Sequence, residues 1–80
     1  MIQIKTLNHF NNLEFPFIAI TDTTGQSIHK VPLCHTVTQD RFEEKVILNH
    51  CKNGKYFDVQ SIEEAKQRWP RIKLCPYCFI

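Results

Sequence analysis

The sequence predicts an α+β fold: a small antiparallel sheet of four to five strands with one helix near 61–69, drawn together by cysteines that lie far apart in the chain. Three observations carry that expectation. Short alternating or β-branched runs recur along the chain with turn residues between them. Only the segment 61–69 combines helical spacing with a cap in front and a proline behind. Four cysteines stand in a chain of 80 residues, a length that suits one domain over 1–80 and leaves its core a thin margin over conformational entropy. A chain of this size calls for a staple.

Taken in order, Ile2-Gln3-Ile4-Lys5 alternates as a half-buried strand should, and 8–12 reads as a loop. The run 15–21 is a second strand, with Pro16 tolerable near its start or on an edge. Asp22-Thr23-Thr24-Gly25 supplies a turn, because glycine accepts positive φ without a Cβ penalty. Residues 26–33 return as the paired strand and deliver Cys34. Between Asp40 and Lys52 two patterns compete. Phe42 and Val46 fit a helix stopped by Asn53-Gly54, whereas 45–48 fits a strand that Asn53-Gly54 turns onto 56–59. The hairpin is preferred, since Asn-Gly between β-branched and aromatic residues is a strong turn signal, and a short helix at about 39–44 can precede it. In 61–69, Ser61 and Glu64 match a capping box, and Ile62, Ala65 and Trp69 share one face, with Trp69 as a core anchor. Pro70 ends the helix, and Arg71-Ile72-Lys73-Leu74 alternates as a short strand.

The cysteines are spaced Cys34-x16-Cys51-x23-Cys75-x2-Cys78. Four thiolates satisfy tetrahedral zinc and leave no position for water, and a Cys-x-x-Cys turn supplies two ligands at once. The expected cofactor is therefore a structural Zn2+ held by Cys34, Cys51, Cys75 and Cys78. His35 and His50 adjoin Cys34 and Cys51, and either is an alternative ligand giving three thiolates and one imidazole. His9 and His29 have no evident partner and read as surface residues. The Cys75-Pro76-Tyr77-Cys78 half resembles one knuckle of a zinc ribbon. The same tetrapeptide is similar to the active site of glutaredoxins, a resemblance of four residues. It implies thiol redox chemistry at a helix N-terminus, but only Phe79 and Ile80 follow Cys78, so redox chemistry is the minor expectation.

The net charge of +2 is only mildly basic, but it is unevenly spread. Residues 1–40 hold Lys5 and Lys30 against Glu14, Asp22 and Asp40, while 41–80 hold eight Lys or Arg against five acids. Lys66, Arg68, Arg71 and Lys73 gather before the terminal cysteine pair and are the candidate nucleic-acid contacts. Gln3, Lys5, Asn8 and His9 interrupt any apolar run near the start, so neither a secretory signal nor a membrane span is expected, and the chain reads as cytoplasmic. There is no phosphate-cradling glycine loop and no His-Glu-x-x-His pattern, which excludes the commonest catalytic motifs.

The expected function is a small non-catalytic binding module with no small-molecule substrate. It would act as a regulator or inhibitor by docking on a protein or nucleoprotein partner. Aromatics such as Phe42, Tyr56, Tyr77 and Phe79, too many for so small a core, suit a docking face. By analogy, such chains are at home in phages and mobile elements. The alternative is a zinc-ribbon-like nucleic-acid binder in which Tyr77 or Phe79 stacks on a base.

Overall fold

Residue 16 is a proline and the six residues after it form the strand around which everything else is built. The computed structural model describes residues 1–23, 25–30, 37–50, 52 and 54–76. Strands β1 (Ile2–Ile4), β2 (Phe17–Asp22), β3 (Gly25–Lys30), β4 (Gly54–Val59) and β5 (Lys73–Leu74) make one sheet in the order β1-β4-β2-β3-β5. Helices α1 (Leu7–Phe10), α2 (Gln39–Phe42) and α3 (Ile62–Arg68) pack around it, and α2 runs directly into a π-helical stretch, Glu43–Leu48.

β2 is paired along its whole length on both sides, antiparallel to β3 and to β4. Its turn into β3 is closed by the Asp22 carboxylate, which accepts from the Gly25 N–H at 3.1 Å. Gly25 sits at φ 146°, where a β-carbon would be strained. Because successive strand residues point to opposite faces, β2 feeds two cores. Ile18 and Ile20 join Ile4, Phe10, Phe42, Val46 and Tyr56 on one face, under α1, α2 and the π-helical stretch. Ala19 joins Ile28, Val59, Ala65 and Ile72 on the other, beneath α3, with Phe57 and Trp69 packed at its edge. The sheet is thus covered on both sides.

The first core is centred on three rings. Phe10 stacks on Phe42 at 4.5 Å, and Tyr56 meets Phe42 edge-on at 5.2 Å. Such pairs are worth roughly 0.5–1.5 kcal/mol beyond their burial. Phe42 and Tyr56 are 0% and 2% exposed, so they are core and not a docking face as the sequence suggested. Tyr77 and Phe79 lie outside the described residues.

Four expectations are corrected. The sheet is mixed: β5 runs parallel to β3, because β4 returns to the sheet through α3, and a crossover delivers a parallel strand where a tight turn delivers an antiparallel one. The segment 45–48 is π-helical, not a strand. β4 is already paired by β1 on one side and β2 on the other, so no edge remains for it. Phe42 and Val46, four apart, instead bury one helical face, and the Thr38 hydroxyl caps the start by accepting from the Arg41 N–H at 3.3 Å. Residues 7–10 form a helical turn, not a loop, capped by Thr6 and anchored by buried Phe10. The helix at 61–69 is therefore not alone, although it is found where expected, with the Ser61 hydroxyl accepting from the Glu64 N–H at 3.1 Å. The Glu64 carboxylate reaches back to the Gln60 N–H at 3.2 Å, one residue before the cap.

Asp58 is 0% exposed, a carboxylate taken fully out of water. Its two oxygens accept from the Glu14 N–H at 2.8 Å and the Phe15 N–H at 3.1 Å, and His9 Nε2 lies 3.1 Å away. This carboxylate ties α1 and the approach to β2 onto β4. It leaves His9 partnered rather than a plain surface histidine.

Candidate functional site

Six of the chain's ten lysines and arginines gather at one end of the sheet, where β2 turns into β3. Lys45 reaches from the π-helical stretch to within 3.9 Å of the Asp22 carboxylate. Lys52, Lys55 and Arg68 line a groove of about 380 Å³ beside the same aspartate, with Phe57 and Trp69 in its wall. Arg71 and Lys73 line a second groove, of about 570 Å³, on the other side of the hairpin. Asp22 belongs to both, and among the described residues it is the one carboxylate lining either. The cause is topological. β4 begins at Gly54, opposite Asp22, so the chain entering it brings Lys52 and Lys55 to the hairpin, and α3 runs back along the sheet to bring Arg68 to the same end.

Of the four cations singled out in the sequence, the structure does not make one stripe. Arg68 lies in the first groove, its guanidinium 5.7 Å above the Trp69 ring. Trp69 in turn packs on Phe57 at 4.9 Å, as the expected anchor. Arg71 and Lys73 lie in the second groove, and Lys66 is exposed on α3. Lys45, Lys52 and Lys55 escaped the sequence reading because they are scattered over two elements and a turn. The one signal pointing to them was the positive balance of 41–80.

Cys34, Cys51 and Cys78, with His35, lie outside the described residues. Cys75 is described: 5% exposed, outside any disulfide, and following β5, with its N–H donating to the Ile28 carbonyl at 3.0 Å. It is buried behind a strand, unlike an exposed thiol at a helix start. Among the described residues no group of three or more His, Cys, Asp or Glu is placed to hold a metal. A buried thiol at a strand end is chemically suited to be one zinc ligand, with the further donors coming from the rest of the chain. His50 is exposed in the left-handed region at φ 51°.

His29 departs most from expectation. It is 7% exposed, lines the second groove with Ser27 and Cys75, and has Nε2 at 3.1 Å from the Ser27 hydroxyl oxygen. Burial holds its imidazole below the usual histidine range.

The chain matches no protein-family model, no curated protein and no solved structure in the comparisons made with each. Among the described residues no helix is long and apolar enough to cross a membrane.

Proposed function

We propose that this chain is a small, non-catalytic, zinc-stabilised binding module that acts in the cytoplasm as a regulator or inhibitor, docking its basic hairpin end on a nucleoprotein partner. The observation that carries the reading is the grouping of Lys45, Lys52, Lys55, Arg68, Arg71 and Lys73 around the single carboxylate of Asp22. A local surplus of that kind attracts phosphates far more strongly than the overall charge of +2 suggests. Ile47 and Leu48, 41% and 72% exposed, follow Lys45 and supply apolar surface for the protein part of such a partner. Zinc held by thiolates drawn from Cys34, Cys51, Cys75 and Cys78 would cross-link the chain and supply no open coordination position. In small finger peptides such sites contribute on the order of 10–16 kcal/mol of apparent binding free energy, as much as a whole domain's stability.

A second reading, direct nucleic-acid binding in the manner of a zinc ribbon, is favoured by the Arg68, Trp69 and Phe57 stack beside Lys52 and Lys55. It would use Arg68 together with these lysines, whereas Lys66, Arg71 and Lys73 would not share its groove.

The test is fluorescence anisotropy with a labelled duplex over a range of salt concentrations, comparing wild type with a Lys52→Glu/Lys55→Glu/Arg68→Glu triple variant and with Lys30→Glu as a control. Engagement of four to six phosphates gives a slope of log K against log salt of about −4 to −5. The triple variant is expected to lose at least a hundredfold in affinity and the control to lose little. Salt-independent binding, or equal binding by the triple variant, contradicts the assignment of this surface.

A further inference from the structure

The sheet leaves one polar row uncovered at its hairpin end. Thr21 on β2 lies opposite Lys55 of β4 on one side and Gln26 of β3 on the other. All three point to the face that α3 covers, since Ala19, Phe57 and Ile28, two residues away on each strand, belong to the core beneath that helix. α3 ends at Arg68, and Trp69 closes the core by packing on Phe57 at 4.9 Å. Beyond the two rings the row of Lys55, Thr21 and Gln26 spans two strand spacings, about 10 Å, and lines the groove of about 380 Å³. Among the described residues the side chains of Thr21, Gln26, Lys52 and Lys55 make no hydrogen bond or ion pair, so a hydroxyl, an amide and two ammonium groups are open to a ligand there. The Asp22 carboxylate at the groove's end is engaged at the turn, accepting from the Gly25 N–H and standing 3.9 Å from Lys45.

We infer that this groove takes one unstacked base of a single-stranded nucleic acid, with the flanking phosphates on Lys52, Lys55 and Arg68. The inference rests on the reading of the hairpin end as a nucleic-acid contact and narrows it from any phosphate backbone to a single strand. The aromatic wall is the first reason. A base can lie against Trp69 only when its own neighbours leave a face bare, and a duplex covers both faces of every internal base. The polar row is the second. Gln26 offers a donor and an acceptor in one plane and the Thr21 hydroxyl offers either, which are the groups that pair with a base edge and that a phosphate backbone alone would not need. Size is the third. A groove of about 380 Å³ is at the small end of ligand sites, which run from about 300 to 1,000 Å³, and so matches one base and not a helix. The cations then stand on the rim of the groove, where the backbone of the strand enters and leaves.

The experiment uses the full chain and its own fluorophore. Trp69 is the one tryptophan of the sequence, so its emission reports on this groove. The probes are a mixed-sequence DNA dodecamer as a single strand, the same sequence as a duplex, an abasic dodecamer of the same backbone, and a free mononucleotide, all at matched salt. The single strand is expected to quench Trp69 and to bind about tenfold or more tighter than the duplex, as one base–aromatic stack allows. Phosphate attraction alone gives the opposite order, because the duplex carries the denser charge. The abasic strand should bind no better than the duplex and leave the emission unchanged. Gln26→Ala and Thr21→Val should each weaken the single strand by about three- to tenfold and the duplex by less than about twofold. A duplex bound as tightly as the single strand, an abasic strand bound as well as the intact one, or single-strand affinity unmoved by both substitutions overturns the inference and leaves the basic hairpin end as a phosphate surface. A mononucleotide bound as tightly as the dodecamer overturns the strand as occupant. Binding of neither strand nor duplex defeats the inference and the nucleic-acid reading together. The abasic comparison needs no substitution, so a variant that fails to fold does not blunt the test.

Discussion

Replacing Asp58 by alanine should remove a large share of the protein's stability. The carboxylate is 0% exposed and accepts from two backbone N–H groups, of Glu14 at 2.8 Å and Phe15 at 3.1 Å, with His9 Nε2 a further 3.1 Å contact. Hydrogen bonds to a charged group are worth roughly 1.5–3 kcal/mol each, and a donor left buried without its acceptor adds its own desolvation cost. Glu14 is exposed and Phe15 half-buried, so part of that cost is recovered as the loop hydrates. A net loss of about 3–4 kcal/mol remains. The stability typical of a chain this size is about 4–12 kcal/mol, and each kcal/mol lost lowers Tm by about 4–8 °C. Asp58→Ala should therefore melt at least about 12 °C below wild type. Asp58→Asn keeps the shape but turns an amide N–H toward one of the donors, and should lose about 2–3 kcal/mol. His9→Ala removes only the partly exposed partner and should lose about 1 kcal/mol. Urea denaturation followed by Trp69 fluorescence measures all three. An Asp58→Ala chain within 0.5 kcal/mol of wild type, or Asp58→Asn as stable as wild type, would refute the claim that this carboxylate joins α1 to the sheet.

Four further outcomes follow from the geometry. A β-carbon at Gly54 would lie 2.9 Å from the Thr21 carbonyl oxygen across the β2–β4 ladder, so Gly54→Ala should cost about 1–3 kcal/mol by overpacking. Gly25→Ala meets no atom within 4 Å and should cost only the strain of φ +146°, about 1–2 kcal/mol. Ser61→Ala should lower stability by about 1 kcal/mol through loss of the α3 cap, and Ser61→Asp should restore most of it. Burial first, and then the neighbouring charges of Arg41 and Asp22 in opposite senses, set the Tyr56 hydroxyl above its ordinary value of 10.0. The folded state therefore holds this proton where the unfolded chain releases it, so stability should fall as pH rises above 10 and Tyr56→Phe should flatten that limb in alkaline denaturation curves.

The elements legible in the sequence were those specified by neighbours in the chain. The β2–β3 hairpin rests on Asp22 and Gly25, three residues apart, and α3 on Ser61, Glu64 and Pro70. Misread elements were those decided by distant parts of the fold. The pattern at 45–48 fits a strand, and only the occupation of both β4 edges by β1 and β2 leaves it helical. β5 alternates correctly for a strand, but its parallel direction follows from where α3 returns it. The same division holds for function. The close run of Lys66, Arg68, Arg71 and Lys73 looks like one patch in sequence and is divided between grooves in space, whereas Lys45, Lys52 and Lys55 look unrelated and meet at Asp22. His29 and Asp58 carry no local signal of burial, since each is buried by strand neighbours brought in from elsewhere.

The most direct test of the basic hairpin end as the docking surface is a 15N–1H titration of the full chain with a short duplex at low salt. The account predicts that amide shifts concentrate at Thr21, Thr23, Lys52, Lys55 and Arg68, and that they fade together as salt is raised. Shifts confined to α1 and α2, or none at all, would contradict it.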